Sequence, residues 1–439
     1  MAPSSKPSYL IVGAGVFGAS TAYHLIQKYP GASVTLVDRD AFDAERRVAA
    51  SWDWSKVVRA DYDDFAYCKL ALEAQQVFKT DPLWMPYFHQ TGIYWICRGG
   101  YAQDVVDNYT KLGRQDDIAV LSVSEARKLY GGIFEDADFT GAEHVLVNKA
   151  GGWAAAGDCL RAVTRRAVEL GVKYVVADVA SLQIDASGAC AGIKTVGGGS
   201  LTASKVILCT GAYTTKLLEL SAASTGNTDL RAGDRILAAG ITTGLAPLSE
   251  VQAKPYEKMP VGFQGYTAKH RKPFIGTLPL TEHKELKWWG EKIFSNTREF
   301  LPGRYFSAPP AAKDYSQWDV PKLLKEDIAH QRRLWYGPKS ADWEVKTFRI
   351  CWDAFTSTSD FIISPHSAAK GLYVATCGSF HGFKFFPVIG KYVIQMLEGE
   401  LSPELEGRWA WDRERPDASQ NPEYPRCEMN DFLDSVPRL

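Results

Sequence analysis

The sequence predicts an α/β protein, α+β overall, in which a Rossmann-like domain is interleaved with a mixed-sheet domain. Three observations predict it. A strand, glycine turn, helix and strand open the chain. Far downstream, Lys205-Val-Ile-Leu-Cys-Thr210-Gly211-Ala212 reads as a second apolar strand ending in a small-residue turn. Between and after them run segments with no such rhythm, above all residues 221–346, rich in Gly, Pro, Trp and Tyr. A chain of 439 residues has room for two interwoven domains and a sizeable core.

The opening unit carries the most information. Tyr9-Leu10-Ile11-Val12 is a short apolar strand, and Gly13-Ala-Gly15-Val16-Phe17-Gly18 follows at once. Residues 19–26 then space their apolar side chains as a helix does. After a Pro30-Gly31 break, Ser33-Val-Thr-Leu-Val37 is a second strand, closed by Asp38. This is the Gly-x-Gly-x-x-Gly fingerprint in its strand–turn–helix setting. Gly13 permits the tight turn, Gly15 lets the backbone approach a pyrophosphate, and Gly18 lets helix and sheet pack closely. The helix start offers free N–H groups and a positive dipole end to the phosphates. Asp38, twenty residues after Gly18, can accept hydrogen bonds from an adenosine ribose and disfavours a 2′-phosphate. The motif indicates a dinucleotide without separating FAD from NAD.

The rest follows in order. Residues 39–47 are polar and charged, and 51–62 alternate polar and aromatic groups as a loop re-entering a site would. Residues 63–79 read as a helix with Tyr67, Leu70, Ala74 and Val77 on its apolar stripe. A strand is expected over 91–97 and helices over 101–112 and 124–130. Gly151-Gly152-Trp153 begins a new unit, with a helix over 158–170 ended by Gly171. A strand over 172–179 and a hairpin of 190–196 with 200–203, around Gly197-Gly198-Gly199, come next. In 221–346, short strands such as 235–238 and 286–289 are broken by Pro302, Pro309, Pro310, Pro321 and Pro338, so no long helix is expected across those points. A strand over 372–377, a glycine turn Gly378-Ser-Phe-His381-Gly382-Phe383-Lys384 and a helix over 388–397 return to the first architecture. The expected division is 1–80, 151–220 and 347–400 in the first domain, 81–150 and 221–346 in the second, and 401–439 as a surface tail.

Composition excludes several classes. The net charge of −1 gives no electrostatic case for nucleic acid or an anionic membrane. No apolar run approaches the ~20 residues that span a bilayer, and the polar start lacks the apolar region of a signal peptide. An intracellular protein is expected. The eight cysteines (68, 97, 159, 190, 209, 351, 377 and 427) are scattered with no CxxC pair or Cys/His cluster, so neither a metal site nor a disulfide framework is indicated.

Residues 9–38, 51–62, 205–212, 349–366 and 377–390 together resemble the FAD-dependent D-amino-acid oxidase superfamily. The likeness is to its branch of sarcosine oxidases, pipecolate and saccharopine oxidases, and fructosyl amino acid oxidases (amadoriases). The C-terminal pair of stretches is the specific part, because Cys351, Phe361-Ile-Ile363 and His381-Gly-Phe-Lys384 occur together. The resemblance implies a Rossmann-like FAD-binding domain interleaved with a mixed-sheet substrate domain. It implies FAD held by Gly13, Gly15, Val16, Phe17, Gly18, Asp38, Ser51, Lys56, Val179, Gly211, Gly382, Phe383 and Lys384, and bonded covalently through Cys351. A thiolate must attack the ring's methyl position, and a nearby cation favours it; Arg349, two residues away, is on the same face if the strand alternates regularly. Arg59 and Lys384 are implied to grip a substrate carboxylate, as a planar fork and a point charge. Lys287, the implied catalytic residue, places a cation where oxygen takes its electrons.

The activity implied is oxidation of the C–N bond of an N-substituted amino acid to an imine that hydrolyses, with oxygen reduced to hydrogen peroxide; the partners are this small molecule and oxygen, and a monomer is expected. A fructosyl amino acid oxidase is the alternative within the branch, since amadoriases place a lysine at the position of Lys56. Amadoriases tend to lack Arg59 and use an arginine near the C-terminus, for which Arg408, Arg413 and Arg415 are candidates. Outside the branch stand a flavin dehydrogenase with a protein acceptor and an NAD-dependent dehydrogenase. The ending Val436-Pro-Arg-Leu439 is a weak match to a peroxisomal address, so the expected location is cytoplasmic or peroxisomal.

Overall fold

The computed structural model describes residues 7–265, 274–311 and 313–433. Strand β1 (Ser8–Val12), helix α1 (Val16–Lys28) and strand β2 (Ser33–Asp38) form as the spacing predicts. They belong to a six-stranded sheet whose order is Ile362–Pro365, Leu372–Thr376, Lys205–Leu208, β1, β2 and Lys173–Val176. All pairings are parallel except at the Ile362–Pro365 edge. Both faces are covered, which is why its strands are near-continuous apolar runs. Tyr9 and Ile11 pack with α1 and with helices Ala156–Glu169 and Phe386–Glu398. Leu10 and Val12 pack on the other face with Leu217 and Leu218 of helix Thr214–Thr225, and with Leu182 and Ile193 of a small antiparallel sheet.

The second layer is a nine-stranded mixed sheet. Its path runs through Thr347–Phe355, Leu237–Pro247, Glu285–Ser295, Ile275–Leu278, Val261–Gln264, Ile93–Cys97, His144–Asn148 and Ile118–Leu121, with Cys427–Glu428 added beside Glu285–Ser295. A three-stranded ribbon lies apart from both large sheets: β3 (Lys56–Val58) and Phe88–His89 flank Gly152–Ala154. Helix α2 (Phe65–Thr80) follows the loop after β3, capped by the Asp64 carboxylate on the Tyr67 amide. Its buried face uses Phe78 rather than the expected Val77, which is half-buried.

Several expectations are corrected. The single strand over 172–179 is two, Lys173–Val176 and Val179–Ile184. Its partner β2 ends at Asp38, and the chain passes into the small sheet once the Ala177 amide has bonded the Asp38 carbonyl. The helix over 124–130 is one turn, Val123–Ala126, followed by a distorted turn in which Tyr130, Gly131 and Gly132 all take positive φ. A helix not foreseen in the proline-rich region, Lys322–Tyr336, fits between Pro321 and Pro338. Strand Thr347–Phe355, placed with the first domain, pairs along its whole length with Leu237–Pro247 in the mixed sheet. The surface tail is no such thing over residues 401–433. Trp409 and Trp411 are buried, and Arg408 bridges Asp64 at 2.7 Å and Asp360 at 2.5 Å. The Val436-Pro-Arg-Leu439 ending lies outside the described residues. Among the described residues no helix is long and apolar enough to cross a membrane.

Candidate active site

One elongated cavity of about 1050 Å3 runs from the C-terminal ends of β1 and β2 to the mixed sheet. Its first end is built by the glycine turn. Gly13 has φ +99°, and a Cβ on Gly18 would fall 1.8 Å from the Gly13 carbonyl oxygen, so α1 can meet the turn only through a glycine. Gly13, Gly15, Val16, Phe17, Asp38, Ser51, Val179 and Gly211 all line this end, and Gly18 does not; its part is packing. The start of α1 has no cap from its own N-cap residue, and the Ser51 hydroxyl accepts from the Val16 amide at 2.8 Å. Asp38 is pinned by the Ala14 amide at 2.6 Å and by Arg47 at 3.1 Å, and keeps further acceptor capacity toward the cavity. Arg47, buried in the charged stretch 39–47, also bonds the Ala14 carbonyl; nothing in its spacing singled it out.

The far end is ringed with cations. Asp53, fully buried, contacts Lys287 at 2.5 Å, Lys56 at 2.9 Å and Arg349 at 3.8 Å. Burial favours a neutral carboxyl, but the three cations outweigh it and hold Asp53 well below the usual carboxylate range. Burial lowers Lys287 to about 8 against the pull of Asp53. Burial also works against the charge of Lys56, but Asp53 and then Cys351 raise it on balance. Lys56 Nζ lies 3.7 Å from Cys351 Sγ. Cys351 and Arg349 do share a strand face, through regular register, yet Arg349 is not the cation in contact with the thiol. Its guanidinium donates to the carbonyls of Trp52 at 2.5 Å and Ala49 at 2.7 Å, clamping the loop that carries Ser51 and Asp53.

Arg59 and Lys384 line the same end. The Arg59 guanidinium lies 4.6 Å from the centroids of both Tyr62 and Trp95, which fixes its plane. Lys384 Nζ donates to Tyr62 Oη at 3.0 Å and to the His381 carbonyl at 2.8 Å. Burial, and then Arg59, hold Lys384 well below the usual lysine range. His381 sits between Tyr62 Oη at 2.9 Å and the Ser359 carbonyl at 2.8 Å, stacked on Phe361. Burial, and then Lys384, keep it neutral. Gly382 and Phe383 line the cavity beside it. Sequence reasoning missed Glu423, which faces this end, and Asp53, which lies buried behind it and pairs with Lys56 and Lys287 of the lining. Asp53 lacks a motif of its own, and Glu423 lies in the segment taken for a tail.

These residues fit a bound FAD. The helix start, with its Val16 amide bonded to Ser51, and the glycine turn suit a pyrophosphate, Asp38 a ribose, and the far end offers cations to a ring that gains negative charge on reduction. The volume is at the upper end of the roughly 300–1000 Å3 usual for ligand pockets, as a large cofactor requires.

A parallel sheet that opens through a glycine turn into a cavity, with Asp38 at the end of the second strand, is the architecture of a dinucleotide-binding protein. The chain belongs to the FAD dependent oxidoreductase family, whose model matches residues 8–396. This removes the nicotinamide reading and agrees with the resemblance seen in the sequence. The chain is 28% identical to L-saccharopine oxidase of Schizosaccharomyces pombe, over 94% of each chain. It is 25% identical to amino acid oxidase imqH of Aspergillus flavus, over 93% of this chain and 98% of that one. Its fold matches fructosyl peptide oxidase from E. terrenum, with a TM-score of 0.82 at 22% identity, over 99% of this chain and 98% of that one. Amadoriase II of Aspergillus fumigatus matches with a TM-score of 0.81 at 24% identity, over 99% and 98%.

Proposed function

We propose that this protein oxidises the C–N bond of an amino acid whose nitrogen is secondary, of the sarcosine, pipecolate or saccharopine kind, and reduces oxygen to hydrogen peroxide. The observation that carries the reading is the placement of Arg59 and Lys384 in the cavity end that also holds Lys56, Lys287 and Cys351. A carboxylate held by that pair brings the adjacent C–N unit to the cofactor's reactive end. Bound FAD supplies the two-electron acceptor that takes hydride from the carbon beside nitrogen and passes its electrons to oxygen. Gly13, Gly15, Val16, Phe17, Asp38, Ser51, Val179 and Gly211 hold the dinucleotide end, with Gly18 supporting the turn. Lys56, Gly382, Phe383 and Lys384 flank the ring. Cys351 bonds it covalently, with Lys56 rather than Arg349 stabilising the thiolate that attacks. Lys287 is the cation that favours electron transfer to oxygen. The six-stranded sheet with its helices serves as the FAD-binding unit and the mixed sheet as the substrate-binding unit. The protein acts as a monomer on small molecules, in the cytoplasm or peroxisome.

The amadoriase reading finds support in Lys56, beside Cys351. Of the C-terminal arginines Arg408 also lines the cavity, although Asp64 and Asp360 hold its guanidinium; Arg415 pairs with Asp234, and Arg413 bonds the Phe361 and Arg408 carbonyls. Oxygen uptake and peroxide release with sarcosine, L-pipecolate, L-saccharopine and fructosyl-valine test the proposal. Turnover of the first three classes supports it, and turnover of fructosyl-valine alone refutes it. Reduction of an artificial dye without oxygen uptake would mark a dehydrogenase. Acid precipitation tests attachment: the yellow colour stays with the wild-type pellet and leaves with the supernatant in Cys351→Ser.

A further inference from the structure

Glu423 lines the cavity at the end that holds Arg59 and Lys384. Its backbone is tied down on both sides. Asn421 Nδ2 donates to Ser359 Oγ at 2.8 Å and to the Ser357 carbonyl at 3.2 Å, and the Glu423 amide donates to Asn421 Oδ1 at 3.0 Å. On the other side Tyr424 packs against the cluster containing Ile241, Ile293 and Cys351, and Cys427–Glu428 pairs with the mixed sheet. The carboxylate lies near the Phe274 amide and within electrostatic reach of Arg59 and Lys384. Among the described residues it forms no ion pair within 4.0 Å with either. Glu423 thus faces the same stretch of cavity as Arg59 and Lys384 without being paired to either, whereas Asp64 is bridged to Arg408 and Lys56 and Lys287 are held by Asp53.

That charge pattern complements a zwitterion. A substrate carboxylate on Arg59 and Lys384 leaves the neighbouring nitrogen free to face the unpaired Glu423 carboxylate. A secondary amine with an ammonium pKa near ~10 reaches the site protonated at neutral pH, and a protonated nitrogen has no lone pair with which to form the C=N bond. We propose that Glu423 holds the substrate's cationic nitrogen and takes its proton, freeing the lone pair as the C–H bond breaks. This rests on the substrate reading above. The N–H bond breaks and an O–H bond forms on Glu423. The C–H electron pair leaves with its hydrogen as hydride to oxidised FAD, and the nitrogen lone pair becomes the second C=N bond. The substrate loses two electrons and FAD gains them. Burial pushes the Glu423 carboxyl up to about 7 while Arg59 and Lys384 pull it down, so it can take up and release a proton near neutral pH. The titratable groups facing it are Arg59 and Tyr62 from the loop after β3 and Lys384 from the 382–385 turn; Phe274 contributes only its amide.

Two measurements on the holoenzyme and Glu423→Gln test this. In the first, kcat/KM for L-pipecolate is followed from about pH 6 to about pH 11. The variant is expected to fall about 100-fold at neutral pH, as for loss of a general base, and to recover to within a few-fold where the free amine prevails. In the second, dissociation constants are read from the flavin absorbance for betaine and for 3,3-dimethylbutanoate. These share shape and carboxylate, but only betaine carries a cationic nitrogen, and it has no proton to lose. Glu423→Gln should weaken betaine about 10-fold and leave dimethylbutanoate as tight or tighter. A pH profile parallel to wild type, or equal weakening of both ligands, overturns the role of Glu423. Failure of the wild-type flavin to be reduced by any secondary-amine amino acid overturns the substrate reading, and this inference with it.

Discussion

Replacing Asp53 by asparagine removes the carboxylate that buried Lys287 and Arg349 and half-buried Lys56 share. Lys287, Lys56 and Arg349 lie 2.5, 2.9 and 3.8 Å from it, and the Lys287 side chain is 2% exposed. Removing one partner of a buried pair costs about 3–5 kcal/mol. The upper part of that range is expected near pH 6, because three positive charges then face one another without a counter-charge. Relief comes through Lys287. Its pKa in the folded protein, lowered by burial to about 8, lies below its ordinary value of 10.5. Between those values the unfolded chain holds the extra proton, so stability rises with pH across that interval. The rise is about 3 kcal/mol, from roughly 2.5 units at 1.36 kcal/mol each. Asp53 holds the Lys287 value up, so in Asp53→Asn the ammonium sheds its proton at lower pH and the rise begins earlier. The variant should therefore lose about 4 kcal/mol at pH 6 and about 2–3 kcal/mol at pH 8. Urea unfolding of the holoenzyme, followed by flavin fluorescence and far-ultraviolet circular dichroism, measures both. Adding Lys287→Met should restore at least half of the loss at pH 6, since one cation then leaves with the carboxylate. A loss under about 1 kcal/mol at pH 6, or a larger loss at pH 8 than at pH 6, refutes the reasoning.

Two further predictions concern the frame. Gly18→Ala drives a methyl into the Gly13 carbonyl, 1.8 Å away, and neither backbone can yield cheaply; a loss of about 3 kcal/mol or more, with purified protein carrying little FAD, is expected in absorbance per mole of chain. Trp409→Ala empties a fully buried site beside Phe361, with an expected cost of about 3–5 kcal/mol in the same unfolding assay; a surface tail would lose nothing.

Much of the fold could be read because its signals are contiguous. The β1–α1–β2 unit needs only alternation, helical spacing and three glycines, and its geometry is settled within some thirty residues. Cys351, Arg59, Lys384, Lys56 and Lys287 were legible only through resemblance, since isolated lysines and cysteines carry no pattern. Asp53 and Glu423 were not legible at all. The first meets Lys287 across 234 positions of chain, and the second reaches Arg59 from a segment whose polar, proline-containing text resembles any loop.

The sequence by itself determined the dinucleotide turn, the parallel strands that hold it and the family, because local backbone conformation and apolar periodicity follow from neighbouring residues. Tertiary structure alone decided which sheet receives strand Thr347–Phe355, that residues 401–433 pack into the body, and which cation touches Cys351. Strand pairing, burial of Trp409 and the charge balance around Asp53 depend on partners brought together by folding, and no local pattern encodes those partners.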